Sequence, residues 1–205
     1  QDRYEVKQAL GKGAYAQVYR ATDRVSSQDV AIKVIHRSPK NFARDAEVQN
    51  LQTVHSQPPA AHVVPILDHF FDHNSVCIVM PLLRGGDLYS RVEPNGPGLS
   101  KSQARRWIRQ LAEAIRSVHQ VGLVHADIKP ENCLIDSDDN LFLADFGLAV
   151  PENHRHMNAV PGTEAYMAPE MLLHNRSGVV MTQAADVFAL GITWYAALFA
   201  DLPWD

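Results

Sequence analysis

The chain has 205 residues, 46% apolar and 20% charged, with a formal net charge of −4. Length and composition suit one domain, or two small lobes sharing a site, and exclude a disordered tail, a collagen-like fibre and a coiled coil. The acidic balance gives no sign of a surface built for nucleic acid or anionic lipid. Cys77 and Cys133, each inside an apolar run, argue against a disulfide scaffold and for a reducing, intracellular setting, cytoplasmic or nuclear.

Gln1 to Leu10 carries no signal-peptide apolar core and no initiator Met, so the chain is expected to be a piece of something longer. Tyr4 to Leu10, Gln17 to Thr22 and Val30 to Ile35 read as strands separated by Gly-rich or polar turns. A helix is expected over Phe42 to Val54. Two more strands follow, Val64 to Phe71 and Val76 to Met80, with Asp72-His73-Asn74 as their turn. Pro81, Gly85 and Gly86 punctuate the chain and set a boundary near residue 84. A β-rich lobe over 1–83 and a mainly helical lobe over 84–205 are therefore expected.

Ser100 with Gln103 reads as a capping box. Behind it Ala104, Trp107, Ile108, Leu111, Ile115 and Val118 make a 3.6-period stripe, ended by Gly122. Cys133 to Ile135 and Leu141 to Leu143 form a hairpin across Asp136 to Asn140. The longest apolar stretch, Val187 to Ala200, has 14 residues, short of the ~18 a membrane helix needs, and is expected as a buried core helix.

The chemistry-bearing residues start at Gly11-Lys12-Gly13-Ala14-Tyr15-Ala16-Gln17-Val18, between the first two strands. Glycines there let backbone amides approach a phosphate, although the Gly-Lys-Ser/Thr ending of a P-loop is missing. In Val30-Ala31-Ile32-Lys33, alternation puts Ala31 and Lys33 on one strand face. A lysine facing the glycine loop needs an anionic partner. Glu47 offers one, on the same helix stripe as Leu51 and Val54. His125-Ala126-Asp127-Ile128-Lys129-Pro130-Glu131-Asn132 precedes the hairpin and Asp145-Phe146-Gly147 follows it. Two carboxylates and a carboxamide around a lysine suit Mg²⁺, which prefers hard oxygen ligands, and a transferring phosphoryl group.

Together with Gly162-Thr163-Glu164-Ala165-Tyr166-Met167-Ala168-Pro169-Glu170 and Asp186-Val187-Phe188-Ala189-Leu190-Gly191, these motifs, in this order, resemble the eukaryotic-type protein kinase family over nearly the whole chain. The resemblance implies a bilobal α+β kinase fold using ATP and Mg²⁺, with its C-lobe expected to be truncated. By it Asp127 orients the substrate hydroxyl and accepts its proton, Lys129 neutralises the γ-phosphoryl oxygens, and Asn132 and Asp145 hold Mg²⁺. Lys33, fixed by Glu47, holds the α/β-phosphates under the loop from Leu10 through Gly11, Lys12, Gly13, Ala14 and Tyr15 to Ala16. Val18, Ala31 and Leu134 sandwich the adenine, Met80 stands behind it, and Pro81 and Leu83 supply hinge hydrogen bonds. Asp87 is matched to the nucleotide site, and with Glu131 to positions that in some relatives contact basic residues of a substrate peptide. Lys129 followed by Pro-Glu-Asn is similar to the serine/threonine branch, and Thr163 is expected to bond both Asp127 and Lys129. The implied partner is a protein presenting Ser or Thr, with no nucleic acid or membrane.

Several positions depart from the family pattern. Ala16 replaces the third glycine of the loop, so altered loop mobility is expected. Ala126 replaces the arginine that pairs with an activation-segment phosphate, and no Ser, Thr or Tyr lies between Gly147 and Gly162. Activity is expected not to depend on phosphorylation there. Family members continue past Leu202-Pro203-Trp204 with helices supplying an arginine to the glutamate matched by Glu170. Without it Glu170 is expected to be a poorly compensated charge and this piece marginally stable. His154 and His156, like His69 and His73, read as neither metal ligands nor switches. Two competing readings remain: a pseudokinase, which would not need Lys33, Glu47, Asp127, Asn132 and Asp145 together, and a small-molecule phosphotransferase, which would not be expected to carry the Ala-Pro-Glu segment.

Overall fold

Alternating patterns in the first third build a five-stranded sheet around one helix. The computed structural model describes residues 3–13, 16–36, 44–57, 59–72, 74–92, 98–156, 162–172 and 178–204. Strands β1 (Tyr4–Lys12), β2 (Ala16–Asp23) and β3 (Asp29–His36) precede helix α1 (Arg44–His55), and β4 (Asp68–Phe71) and β5 (Ser75–Pro81) follow it. The spatial order is β1-β2-β3-β5-β4, antiparallel throughout. The sheet curls until its two edge strands meet: Tyr4 stacks on Phe70, and its hydroxyl donates to Asp68 over 2.8 Å.

Register assigns the faces, because neighbouring side chains point oppositely. Ala21, Val30, Ile32, Cys77 and Val79 pack on one face. Ile35, Val76 and Ile78 point the other way, into the core that holds Leu51 and Val54 of α1. That second face also carries Val18, Ala31, Lys33 and Met80, since Val18 lies opposite Lys33, Lys33 opposite Ile78, and Ala31 opposite Met80. Phe42, where the sequence starts the helix, lies outside the described residues. The strand expected from Val64 begins only at Asp68. Pro65 has no N–H for a ladder, and the preceding residues join the hairpin instead: Val64 N donates to Leu143 O, and Leu143 N to His62 O.

Beyond residue 84 short strands and helices alternate: β6 (Gly86–Asp87), α2 (Leu88–Arg91), α3 (Lys101–Gln120), β7 (Leu123–Val124), β8 (Cys133–Ile135), β9 (Leu141–Leu143), β10 (Val150–Pro151), β11 (Arg155–His156), α4 (Pro169–Leu172), β12 (Val179–Val180) and α5 (Gln183–Phe199). A tight turn brings Gly85 N to Ile135 O at 2.8 Å, and a Cβ there would lie 2.7 Å from that oxygen. Helix α3 buries the expected stripe, with Ala114 and Ser117, while Ile108 is half-buried. Ser100 caps it, accepting from Gln103 N, but the box is open. The Gln103 side chain donates to Asp139 at the hairpin turn, where Trp107 Nε1 also bonds Asp139 O. Gly122 then ends the helix at φ +74°.

Helix α5 departs from the expectation of a buried core helix. Ala185, Asp186, Ala189, Ile192, Thr193 and Ala197 are buried, whereas Val187, Trp194, Tyr195 and Phe199 are exposed, because among the described residues no element covers that face. Glu170 in α4 is exposed as well, so the cost of an unpaired buried carboxylate does not arise. Both cysteines are free and buried. Among the described residues no helix is long and apolar enough to cross a membrane.

Candidate active site

Lys33 rises from β3 on the sheet face that meets α1, and only 9% of it is exposed. Its ammonium lies 2.8 Å from Glu47 Oε1 and 2.9 Å from Asp145 Oδ1. Burial alone would depress its pKa; the two carboxylates outweigh that and hold it above the ordinary lysine value. Glu47, buried and facing a second carboxylate, is pushed above the usual range despite Lys33. For Asp145 burial works upward, but Lys33 and the Gly147 N–H leave the carboxyl below its ordinary value. Asp145 has left-handed backbone, φ +63°, and Phe146 beside it is fully buried, with its ring edge-on to His125 at 4.8 Å.

The second group gathers on the loop after β7. Lys129 Nζ lies 2.9 Å from Asp127 Oδ2 and donates to Thr163 Oγ1 over 2.8 Å. Thr163 Oγ1 donates in turn to Asp127 Oδ1 at 3.1 Å, closing the triangle expected from the sequence. Gly162, at φ +137°, turns the chain so that Thr163 reaches in, and a Cβ there would lie 3.1 Å from Ala126 O. Asn132 donates through Nδ2 to Asp127 O at 2.7 Å and to Asp127 Oδ2 at 3.0 Å. Its Oδ1 is left without a partner among the described residues, as is Asp145 Oδ2. Two hard oxygens are thus available, which fits a Mg²⁺ ion completed by phosphate oxygens and water. The sequence puts its carboxylates around one lysine; the structure separates two lysine-centred groups, joined through Asp145-Phe146 and His125.

Above these groups Ala31 is buried and Val18, Met80 and Leu134 are half-buried, leaving partly open apolar surface for a flat ring. Pro81 ends β5 opposite Val30, and the Leu83 backbone has no hydrogen-bond partner among the described residues. Leu10 and Lys12 are exposed along β1. A Cβ on Gly11 would meet no protein atom within 4 Å and one on Gly13 only Ala16 O at 3.7 Å, so no crowding within the protein demands these glycines. Ala16 sits half-buried opposite Ile35, in a ladder position that accepts a Cβ. Ala14 and Tyr15 lie outside the described residues. Asp87 stands opposite Leu134 in the β6–β8 ladder, and its Oδ1 caps α2 by accepting from Ser90 N at 2.7 Å. Glu131 is exposed.

Sequence reasoning missed the residues that hold these groups still. Asp186 at the start of α5, 1% exposed, accepts from the backbone N–H of His125 at 2.8 Å and of Ala126 at 3.0 Å, and lies 2.8 Å from His119 Nε2. The family resemblance puts Asp186 at the start of a buried helix beneath the catalytic loop, but gives it no bond to that loop. Asn50, one turn beyond Glu47, donates to Phe146 O and Ala149 O, and its place on the stripe beside Glu47 was the available signal. Of the two histidines set aside as metal ligands, His154 is an exposed loop residue, whereas His156 is half-buried in β11, and their rings meet edge to face at 4.8 Å.

The sequence matches the protein kinase domain family over residues 4–205. It is 35% identical over 232 residues to CBL-interacting protein kinase 22 of Oryza sativa subsp. japonica, covering 100% of this chain and 50% of that protein. CBL-interacting serine/threonine-protein kinase 7 of Arabidopsis thaliana is 34% identical over 209 residues, covering 99% and 48%. NUAK family SNF1-like kinase 1 of Homo sapiens is 30% identical over 205 residues, covering 99% and 30%. The chain spans about half the length of the two plant relatives or less than a third of the human one. With its motifs in order and its two charge groups assembled in one cleft, the chain belongs to the protein kinase domain family.

Proposed function

We propose that this chain transfers the γ-phosphoryl group of Mg-ATP to a serine or threonine hydroxyl of a protein. The observation that carries the proposal is the closed group of Asp127, Lys129, Thr163 and Asn132 beside the Lys33–Glu47–Asp145 group. Lys33 would bind α/β-phosphate oxygens, Glu47 keeping its ammonium aimed at them. Asn132 Oδ1 and Asp145 would hold Mg²⁺, which when bound supplies charge neutralisation at the phosphates. Asp127 would align the substrate hydroxyl and accept its proton, while Lys129 brings positive charge to the phosphoryl oxygens. Positioning and electrostatics supply the rate in such a site.

The same reading holds that no phosphate on the activation segment is required. Ala126 cannot receive one, and between Gly147 and Gly162 there is no hydroxyl to carry one. Backbone bonds anchor the segment instead. Strand β10 pairs with β7 and β11 with β12, and Glu152 N donates to Gly122 O, Asn153 N to Met181 O and Met181 N to His154 O, each at 2.8 Å. Exposed Glu131 supports a preference for Arg or Lys ahead of the target hydroxyl; selection of acidic residues from a peptide library would remove that part.

The test is transfer of radiolabelled phosphate to a generic protein, before and after phosphatase treatment, with Asp127→Asn as control. Phosphoserine or phosphothreonine is expected, unaffected by the phosphatase and reduced about 10²–10⁴-fold in the variant. No transfer, or the same rate in the variant, overturns the kinase reading. A strict requirement for phospho-Thr163 or phospho-Tyr166 overturns only the independence from phosphorylation.

A further inference from the structure

Charge is unevenly spread in this protein. Helix α3 carries Lys101, Arg105, Arg106, Arg109 and Arg116 against a single carboxylate, Glu113, although the whole chain has a net charge of −4. A groove of about 730 Å³ runs along the helix from Lys101 to Glu113, with His62 on its far side. Some of its charge is already spent. Arg106 lies 3.2 Å from Asp139 and donates to Asn140 Oδ1 and Asp138 O, and Arg109 Nε donates to Glu113 at 3.1 Å. His62 Nδ1 meets Leu141 O, and its Nε2 lies 3.6 Å from Glu113. Lys101 and Arg105 are exposed and have no partner among the described residues, and Arg109 keeps its two terminal nitrogens.

Helix stability does not account for this row. Lys101/Arg105 and Arg105/Arg109 are like-charge pairs four residues apart, each destabilising by ~0.2–0.5 kcal/mol. Arg109 and Glu113 stand in the less favourable order for such a pair. The positive end of the helix dipole lies at the same end of the groove. Cations four residues apart on a helix are spaced by about 6 Å. An extended chain repeats the same face about every 6.6–6.8 Å, so three cations in this row match carboxylates at three alternate residues of a strand.

We propose that the α3 groove docks an extended acidic protein segment carrying Asp or Glu at alternate positions, with Lys101, Arg105 and Arg109 as its contacts. None of the three belongs to the two charge groups of the cleft, so docking and phosphoryl transfer are separable. The experiment is fluorescence anisotropy of the protein with a labelled peptide of six Glu-Ala repeats and its Gln-Ala counterpart. The Glu peptide is expected to bind, to weaken steadily with added salt, and to lose at least about tenfold in affinity with K101E/R105E. K101A/R105A is expected to fall between, and both variants to keep the circular dichroism and phosphoryl-transfer rate of the parent. No binding of the Glu peptide, equal binding of the Gln peptide, or unchanged affinity in K101E/R105E overturns the proposal. So does tighter binding of phosphatidylserine vesicles or duplex RNA than of the Glu peptide, which would assign the groove to a different partner.

Discussion

The two charge groups of the cleft are built in opposite ways. Lys33, Glu47 and Asp145 come from a strand, a helix and a loop, and meet only because sheet and helix pack together. Lys33 and Glu47 are buried, so each depends on the other for compensation. Asp127, Lys129 and Asn132 lie within six consecutive residues, and only Thr163 arrives from elsewhere. Their loop is fixed from beneath by Asp186, through backbone donors. One group is thus a feature of the folded core, and the other a local conformation held by a single buried acceptor.

That contrast predicts different failures. Lys33→Met leaves Glu47 buried beside Asp145, and breaking a buried pair costs about 3–5 kcal/mol, read as a lower midpoint in urea unfolding. The double change Lys33→Met, Glu47→Leu is expected to recover most of that stability and none of the nucleotide affinity. Equal stability of the single and double variants would show that the pair is not a buried unit. Asp186→Ala is the next largest, because the buried His125 N–H loses its acceptor at about 1–3 kcal/mol and the part-buried Ala126 N–H loses its own at less. Its transfer rate is expected to collapse while Mg-ATP still binds, and an unchanged rate would mean that the loop holds itself. The smallest effect is a pH dependence. Burial pushes the His125 imidazole below its ordinary value. The unfolded chain therefore takes up this proton first, so the stability from a neutral His125 is complete above about pH 6.5 and is lost as the pH falls toward the lowered folded value, by up to ~1.4 kcal/mol per unit. His125→Phe should flatten that slope in thermal melts taken across pH; an identical slope assigns it to other groups.

Much of this was legible in the sequence where the determinants are local. The spacing of Asp127, Lys129 and Asn132 is itself the geometry of the loop, and the apolar stripe around Glu47 already required a buried cation. The hairpin at 133–143 and the stop at Gly122 follow from turn chemistry. What was not legible depends on partners chosen by packing. Gln103 looks like the second half of a cap, yet finds Asp139 more than thirty residues away. Pro65 cuts short a strand that β-branched residues on both sides suggest. The motif of Asp186 puts its helix beneath the catalytic loop, but the backbone donors it accepts from are fixed only when that loop folds over it, and α5 is apolar on both faces, so its sequence does not say which one is covered.

The most direct test of the account is binding of Mn²⁺, in place of Mg²⁺, followed by electron paramagnetic resonance with ATP present. The protein and its Asp127→Asn variant are expected to take up one saturable Mn²⁺–nucleotide complex. Asp145→Asn should weaken uptake at least about tenfold, since it removes the charged ligand of the pair. Uptake unchanged by Asp145→Asn, or present only without nucleotide, would contradict the assembled cleft.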